Sequence, residues 1–195
     1  MNDLPKGVRE AMAMVPVPMA MLAELTHRCP LKCPYCSNPL ELVRRSEELT
    51  TAEWVDVFGQ AARMGVLHVH LSGGEPAARR DLPEIVAGAA DAGLYTNLIT
   101  SGVGLTEAGF GELVARGLDH VQLSIQAPEA AAGDRVAGFR GAFETKLRVA
   151  GWVRAAGLPL TINAVMHRQN LGLLPETIAL AEALGARRLE IAHTQ

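Results

Sequence analysis

Three cysteines, Cys29, Cys33 and Cys36, fall within eight residues of a 195-residue chain that holds no other. They sit in HRCPLKCPYCSNP (27–39), spaced C-x₃-C-x₂-C. A disulfide scheme leaves one thiol over, and a structural zinc site normally takes four protein ligands. His27 offers a fourth zinc ligand, but it lies only two residues before Cys29, tighter than the usual spacing. A four-iron cubane is commonly held by four cysteines. Held by three, it keeps one iron open to a ligand that is not a side chain. Catalytic zinc sites share this plan of three protein ligands and one open place. The trio therefore points to a metal centre with a position reserved for a substrate or cofactor.

A second stretch carries chemistry. In LSGGEP (71–76) Gly73 and Gly74 allow a backbone to approach a ligand closely, and Glu75 offers carboxylate oxygens to an ammonium group. Alone, Gly-Gly-x-Pro is also a common turn.

These residues need elements to position them. Strand patterns at 19–26, 66–72, 94–100, 120–125, 158–165 and 187–192 alternate with helical patterns at 50–65, 81–93, 106–117, 143–157 and 174–185. Thr50 and Glu53 stand in capping-box spacing, Asp81 is placed to cap the second helix, and each helix ends near a glycine. The segment between the fourth strand and the fourth helix reads as a polar, glycine-containing loop. Such alternation predicts a parallel sheet with right-handed crossovers, in an α/β domain of six units rather than a closed eightfold barrel.

Side-chain alternation selects between an open doubly wound sheet and a partial barrel. Glu24 with Thr26, His68 with His70 and Ser72, Gln122 with Ser124 and Gln126, and Thr161 with Asn163 and His167 each share a parity. A sheet buried on both faces would be apolar throughout. A recurrent polar face predicts a sheet curled around a wet or liganded lumen. For His68 and His70, satisfying backbone groups and binding a ligand are equally open readings.

Composition narrows the classes further. Hydrophobic residues make up 49% and charged residues 20%, as in ordinary globular chains. A net charge of −3 and 4% aromatics supply neither the basic patch nor the stacking surface of a nucleic-acid binder. The apolar run 11–23 is broken by Pro16 and Pro18 and is shorter than the roughly 20 residues of a membrane span. It reads as a lead-in (1–18) followed by a buried strand, within a cytoplasmic protein whose thiols stay reduced.

Taken together, the cysteine trio with Tyr35 before its third member and the GGEP loop after the second strand resemble the radical S-adenosylmethionine enzymes. The resemblance implies a (β/α)6 partial TIM-like barrel over 19–195. It implies a [4Fe-4S] cluster on Cys29, Cys33 and Cys36, and S-adenosylmethionine held by Gly73, Gly74 and Glu75 with Tyr35 near the adenine. Ser124, Gln126 and Asn163 are expected to contact ribose or carboxylate. The wording around AELTHRCPLKCPYCSNP and EIAHTQ resembles a peptide-modifying branch of that family. That branch implies reductive cleavage of S-adenosylmethionine to a 5′-deoxyadenosyl radical, which starts a Glu–Tyr side-chain cross-link in a ribosomally made precursor peptide. A small peptide-chaperone protein and an electron donor such as flavodoxin are the implied partners. Members of the branch carry a C-terminal region with auxiliary clusters, which this chain is expected to lack, leaving its last strand as an exposed edge. The alternatives are a radical enzyme acting on another peptide or small molecule, and a zinc-binding structural module.

Overall fold

The computed structural model describes residue 7, residues 17–38 and residues 44–193. The expected lead-in therefore lies almost wholly outside the described residues, as do the last residue of the cysteine stretch and the last two of EIAHTQ.

Six strands form one sheet in the order β1 to β6, every neighbouring pair parallel. They are β1 (Ala20–Glu24), β2 (His68–Ser72), β3 (Tyr95–Thr100), β4 (His120–Ser124), β5 (Leu160–Met166) and β6 (Arg188–His193). The helices among the described residues are α1 (Thr51–Arg63), α2 (Leu82–Asp91), α3 (Glu107–Ala115), α4 (Ala130–Ala137), α5 (Ala142–Ala155) and α6 (Leu174–Ala183). The sheet curls into a half-barrel whose edge strands, β1 and β6, do not pair with each other.

The polarity of the strands explains the curl. Val69, Leu71, Leu98, Val121, Leu123 and Ile162 are fully or almost fully buried on the face that the helices cover. Trp54, Phe58 and Ala61 form the buried stripe of α1, at helical spacing, in that core. The opposite face carries His68, His70, Asn97, Gln122, Asn163 and Glu190, and the half-barrel folds this polar face inward.

Three expectations need correction. β1 is not a buried strand: only Ala23 is enclosed, and Leu22 is 59% exposed, because an edge strand has a neighbour on one side alone. The segment after β4 is not all loop but contains α4, which starts at Ala130 and runs to Gly138 in the left-handed region. The expected Thr50–Glu53 capping box is present, yet Asp81, although at the N-cap of α2, makes no capping bond. Its carboxylate instead receives Arg79 and the Thr51 hydroxyl. An ion pair outcompetes a single backbone N–H for an exposed carboxylate's oxygens.

Candidate functional site

The cysteine loop leaves the C-terminal end of β1 and runs beside the GGEP loop that leaves β2. Leu25 N donates to Ser72 O at 2.9 Å, Gly74 N to Thr26 O at 2.6 Å and Glu75 N to Arg28 O at 2.8 Å, so the two loops continue the β1–β2 pairing. Gly73 has φ +126, and a Cβ there would lie 2.4 Å from Thr26 O; one at Gly74 would lie 2.4 Å from Arg28 O. Both glycines are thus required by the approach of protein backbone, not only by a ligand as the sequence suggested.

Glu75 is also placed differently from expectation. It is fully buried, and its carboxylate accepts from Ala77 N, Thr100 Oγ1, Ser101 N and Ser101 Oγ. Burial pushes its pKa up while these four donors oppose the shift. Its oxygens are spent on tying the GGEP loop to the end of β3, which leaves backbone rather than carboxylate along the cavity wall.

Cys29, Cys33 and Cys36 line one cavity of about 140 Å³ together with Tyr35, Gly73, Gly74 and Ser124. Burial raises the Cys29 and Cys33 thiol pKa values, whereas Cys36 is exposed. Among the described residues no three His, Cys, Asp or Glu side chains converge on a point that would hold a single metal ion. A cubane, whose thiolates bind separate irons, needs no such convergence.

Three parts of the site escaped sequence reasoning. Lys146, on α5, is 5% exposed and lines the cysteine cavity. Desolvation lowers its pKa, opposed by the nearby Cys33, Glu75, Asp134 and Cys29. A lone lysine in an amphipathic helix carries no signal of burial. The second is the platform beneath the loop: Lys32 N donates to Ala137 O at 2.9 Å, and Leu31 packs on Val103, Ala137 and Ala142. The base of the loop is clasped as well. Arg79, 7% exposed, donates to Leu25 O before the cysteines and to Leu49 O after them, and pairs with Asp81 and Glu48. Glu48 accepts from Thr26 and Arg28, so the Thr26 hydroxyl is engaged within the clasp.

Tyr35 meets polar groups from the segments that follow β4 and β5. The ring of Tyr35 lies 5.4 Å from that of His167, and its hydroxyl interacts with Cys33 and Gln126. Burial drives its pKa strongly upward, so the phenol stays protonated. Gln126 Oε1, Asn163 Oδ1 and His167 Nε2 are buried without a hydrogen-bond partner. Asn170 fixes this corner, donating to Gln126 O and Val165 O and accepting from His167 N. Buried polar atoms are rarely left unmatched, so three of them around the ends of β4 and β5 point to a place shaped for a polar ligand. His68 and His70 lie elsewhere, toward the N-terminal end of the lumen.

Residues 23–181 match the Radical SAM superfamily. The chain is 66% identical over 178 residues to the PqqA peptide cyclase of Methylocella silvestris, covering 91% of this chain and 48% of that protein. It is 58% identical over 193 residues to the PqqA peptide cyclase of Ruegeria pomeroyi, covering 98% of this chain and 52% of that one. It spans about half the length of these curated relatives. Among solved structures, Streptococcus suis SuiB bound to S-adenosylmethionine superposes with a TM-score of 0.84 at 20% identity, over 97% of this chain and 44% of that one. SuiB bound to its precursor peptide SuiA gives 0.83. Among the described residues no helix is long and apolar enough to cross a membrane. With the match running from β1 into α6 and enclosing the cysteine trio, the chain belongs to the radical SAM superfamily.

Proposed function

We propose that the chain is the catalytic core of a peptide cyclase of pyrroloquinoline quinone biosynthesis, acting on a PqqA-like precursor peptide. The observation that carries this reading is the single cavity shared by the three thiols, the Gly73–Gly74 backbone and Lys146, where the ends of β1 and β2 meet. Identities of 58–66% to PqqA peptide cyclases support the substrate class.

The residues fit a cubane and a nucleotide. Cys29, Cys33 and Cys36 would hold a [4Fe-4S] cluster, and thiols whose pKa burial has raised would release protons on binding it. The Gly73–Gly74 backbone would receive the ammonium end of S-adenosylmethionine, with Glu75 holding that backbone in place. Lys146 supplies a cation for the carboxylate. Tyr35 presents a ring face beside His167 and Gln126, whose Nε2 and Oε1 are buried and unmatched, as is Asn163 Oδ1, a set suited to an adenosine with its ribose hydroxyls. When bound, cluster and nucleotide together supply a 5′-deoxyadenosyl radical that begins C–C bond formation between glutamate and tyrosine side chains of the peptide. The protein's part is to orient these groups and to keep the reacting carbon away from solvent. A PqqD-like peptide chaperone, a donor such as flavodoxin and a cytoplasmic setting complete the proposal.

The test is low-temperature electron paramagnetic resonance on the anaerobically reconstituted, reduced protein. A four-iron signal that changes on adding S-adenosylmethionine is expected. A protein that takes up only zinc, or a signal indifferent to the nucleotide, would remove the basis for the reading.

A further inference from the structure

A larger cavity, of about 410 Å³, occupies the polar side of the sheet away from the cysteine loop. It is lined by His68, His70, Tyr95, Asn97, His120 and Gln122, with Arg187, Arg188 and Glu190 at its β6 side. No residue is common to this cavity and the cysteine cavity.

A chain of side-chain bonds crosses its wall. Asn97 Nδ2 lies 2.9 Å from His70 Nδ1 and donates to Gln122 Oε1 at 3.4 Å, and Gln122 Nε2 donates to Glu190 Oε2 at 2.9 Å. With Nδ2 so engaged, Asn97 Oδ1 is left as a buried acceptor with no partner, on a residue only 3% exposed. A buried carbonyl in this position is open to a donor from outside the protein. The surroundings specify more. The rings of His68 and Tyr95 meet edge-on at 5.3 Å and those of Tyr95 and His120 at 6.2 Å, giving the cavity flat, weakly polar walls. Burial and the Arg188 charge hold the His120 pKa below its usual value, opposed by Glu190 and aided by His70. Away from Arg187, Arg188 and Glu190 at its β6 side, the wall is made of rings and amides, and a donor on a flat, ring-sized group suits it.

We infer that Asn97 is a specificity residue that accepts the phenolic O–H of the substrate tyrosine, with the hydroxyl end of the ring entering the cavity walled by His68, Tyr95 and His120. This rests on the peptide-cyclase reading and extends it to which side chain enters which part of the lumen. The reach is suitable. Asn97 lies two residues before Ile99 on β3, about 7 Å along the strand, and Ile99 lines the cysteine cavity. A tyrosine entering from the cysteine side would keep its ring near the reaction centre and point its hydroxyl at Asn97.

The experiment compares two synthetic peptides by calorimetric titration of the reconstituted protein. Each carries one glutamate, and they differ only in tyrosine against phenylalanine. The wild-type chain is expected to bind the tyrosine peptide roughly tenfold more tightly, the worth of one buried hydrogen bond. Asn97→Asp, which keeps an oxygen in place, is expected to retain a preference, and Asn97→Leu to bring the ratio to about one. Equal affinities for the wild type, or no binding of either peptide, overturn the inference, whether or not the variants fold. The paramagnetic response to S-adenosylmethionine, recorded on the same samples, separates this failure from failure of the functional reading. Intact response with equal affinities sinks Asn97's role alone.

Discussion

Ser101 donates to Glu75 twice, from its backbone N at 2.7 Å and from its hydroxyl, so both bonds fall on one carboxylate oxygen at the end of β3. Thr100 Oγ1 and Ala77 N supply the other oxygen. The glutamate of the GGEP loop thus acts as a buried strut between two strand ends. Glu75→Gln places an NH₂ group against one of two backbone N–H donors that cannot rotate away. The expected cost is about 1–3 kcal/mol in urea unfolding, since a buried donor loses its acceptor. A variant as stable as the parent would mean that the strut carries no strain-bearing bond. Ser101→Ala, which removes only the hydroxyl, is expected to cost less.

Arg79 invites a sharper comparison. Its guanidinium serves two carbonyls and two carboxylates at once, with 5% of the side chain exposed. Arg79→Lys keeps the charge but cannot fork between Leu25 O, Leu49 O and Asp81. Arg79→Met takes the donor from the Leu25 and Leu49 carbonyls and the cation from Asp81, leaves Glu48 with Arg28 alone as its cation, and is expected to cost about 3–5 kcal/mol. The lysine variant should fall between wild type and methionine. Iron retained per chain after reconstitution should follow the same order, because both ends of the cysteine loop depend on the clasp. Full iron occupancy in Arg79→Met would show that the loop holds its shape without it.

Asp81 gives a pH signature. Its pKa is lowered from 3.8 to about 2, chiefly by the Arg79 hydrogen bonds, with burial acting in opposition. A group whose folded pKa is depressed stabilises above its unfolded value and loses that contribution as pH falls toward the folded one. The wild type is therefore expected to melt above Asp81→Asn at pH 5 and above, and the gap should close between about pH 4 and about pH 2. Melting curves collected through that window decide it; a gap independent of pH would assign the difference to packing.

How much of this could be read from the chain is best seen in particular residues. The cysteine trio and the strand–helix rhythm were legible because each is a local pattern: three thiols at short spacing, and polarity of period two against helical period. The Thr50–Glu53 box was legible for the same reason. β1 misled, because an apolar run does not say whether a strand is central or at an edge. α4 was hidden by its glycine and charges, and its role under the cysteine loop rests on contacts between residues far apart in sequence, the Lys32–Ala137 bond and the packing of Leu31 on Ala137. Lys146 and Arg79 are surface types by composition, and only tertiary packing buries them. Asn163 and Gln126 were found through strand parity, whereas Asn97, on the same face, was passed over because Tyr95 and Ile99 beside it look apolar.

The three thiols should also differ in reactivity before any metal is added. Cys36 is exposed, while Cys29 and Cys33 are partly enclosed and burial keeps their thiols protonated further into the alkaline range. Iodoacetamide on the reduced, metal-free chain at pH 7.5 is expected to label Cys36 first, by at least several-fold in rate, since the thiolate is the attacking species. Peptide mapping by mass spectrometry resolves the order. Equal labelling of all three would mean that the loop opens in the metal-free state.

Lys146 separates binding from stability. Burying an ammonium without a direct carboxylate partner is unfavourable for folding, and among the described residues no salt bridge of Lys146 accompanies its 5% exposure. Lys146→Met keeps the aliphatic stem and removes the charge, so the chain should unfold at equal or higher urea concentration. The same substitution should weaken S-adenosylmethionine binding by roughly tenfold or more, because a charge-assisted bond to its carboxylate is lost. A site retained for function at the expense of stability produces this opposition of sign, whereas a structural lysine would lose on both counts. Equilibrium dialysis of the reconstituted protein with labelled S-adenosylmethionine, beside urea curves, reads both quantities. Unchanged nucleotide affinity in a well-folded Lys146→Met would take the carboxylate away from this residue.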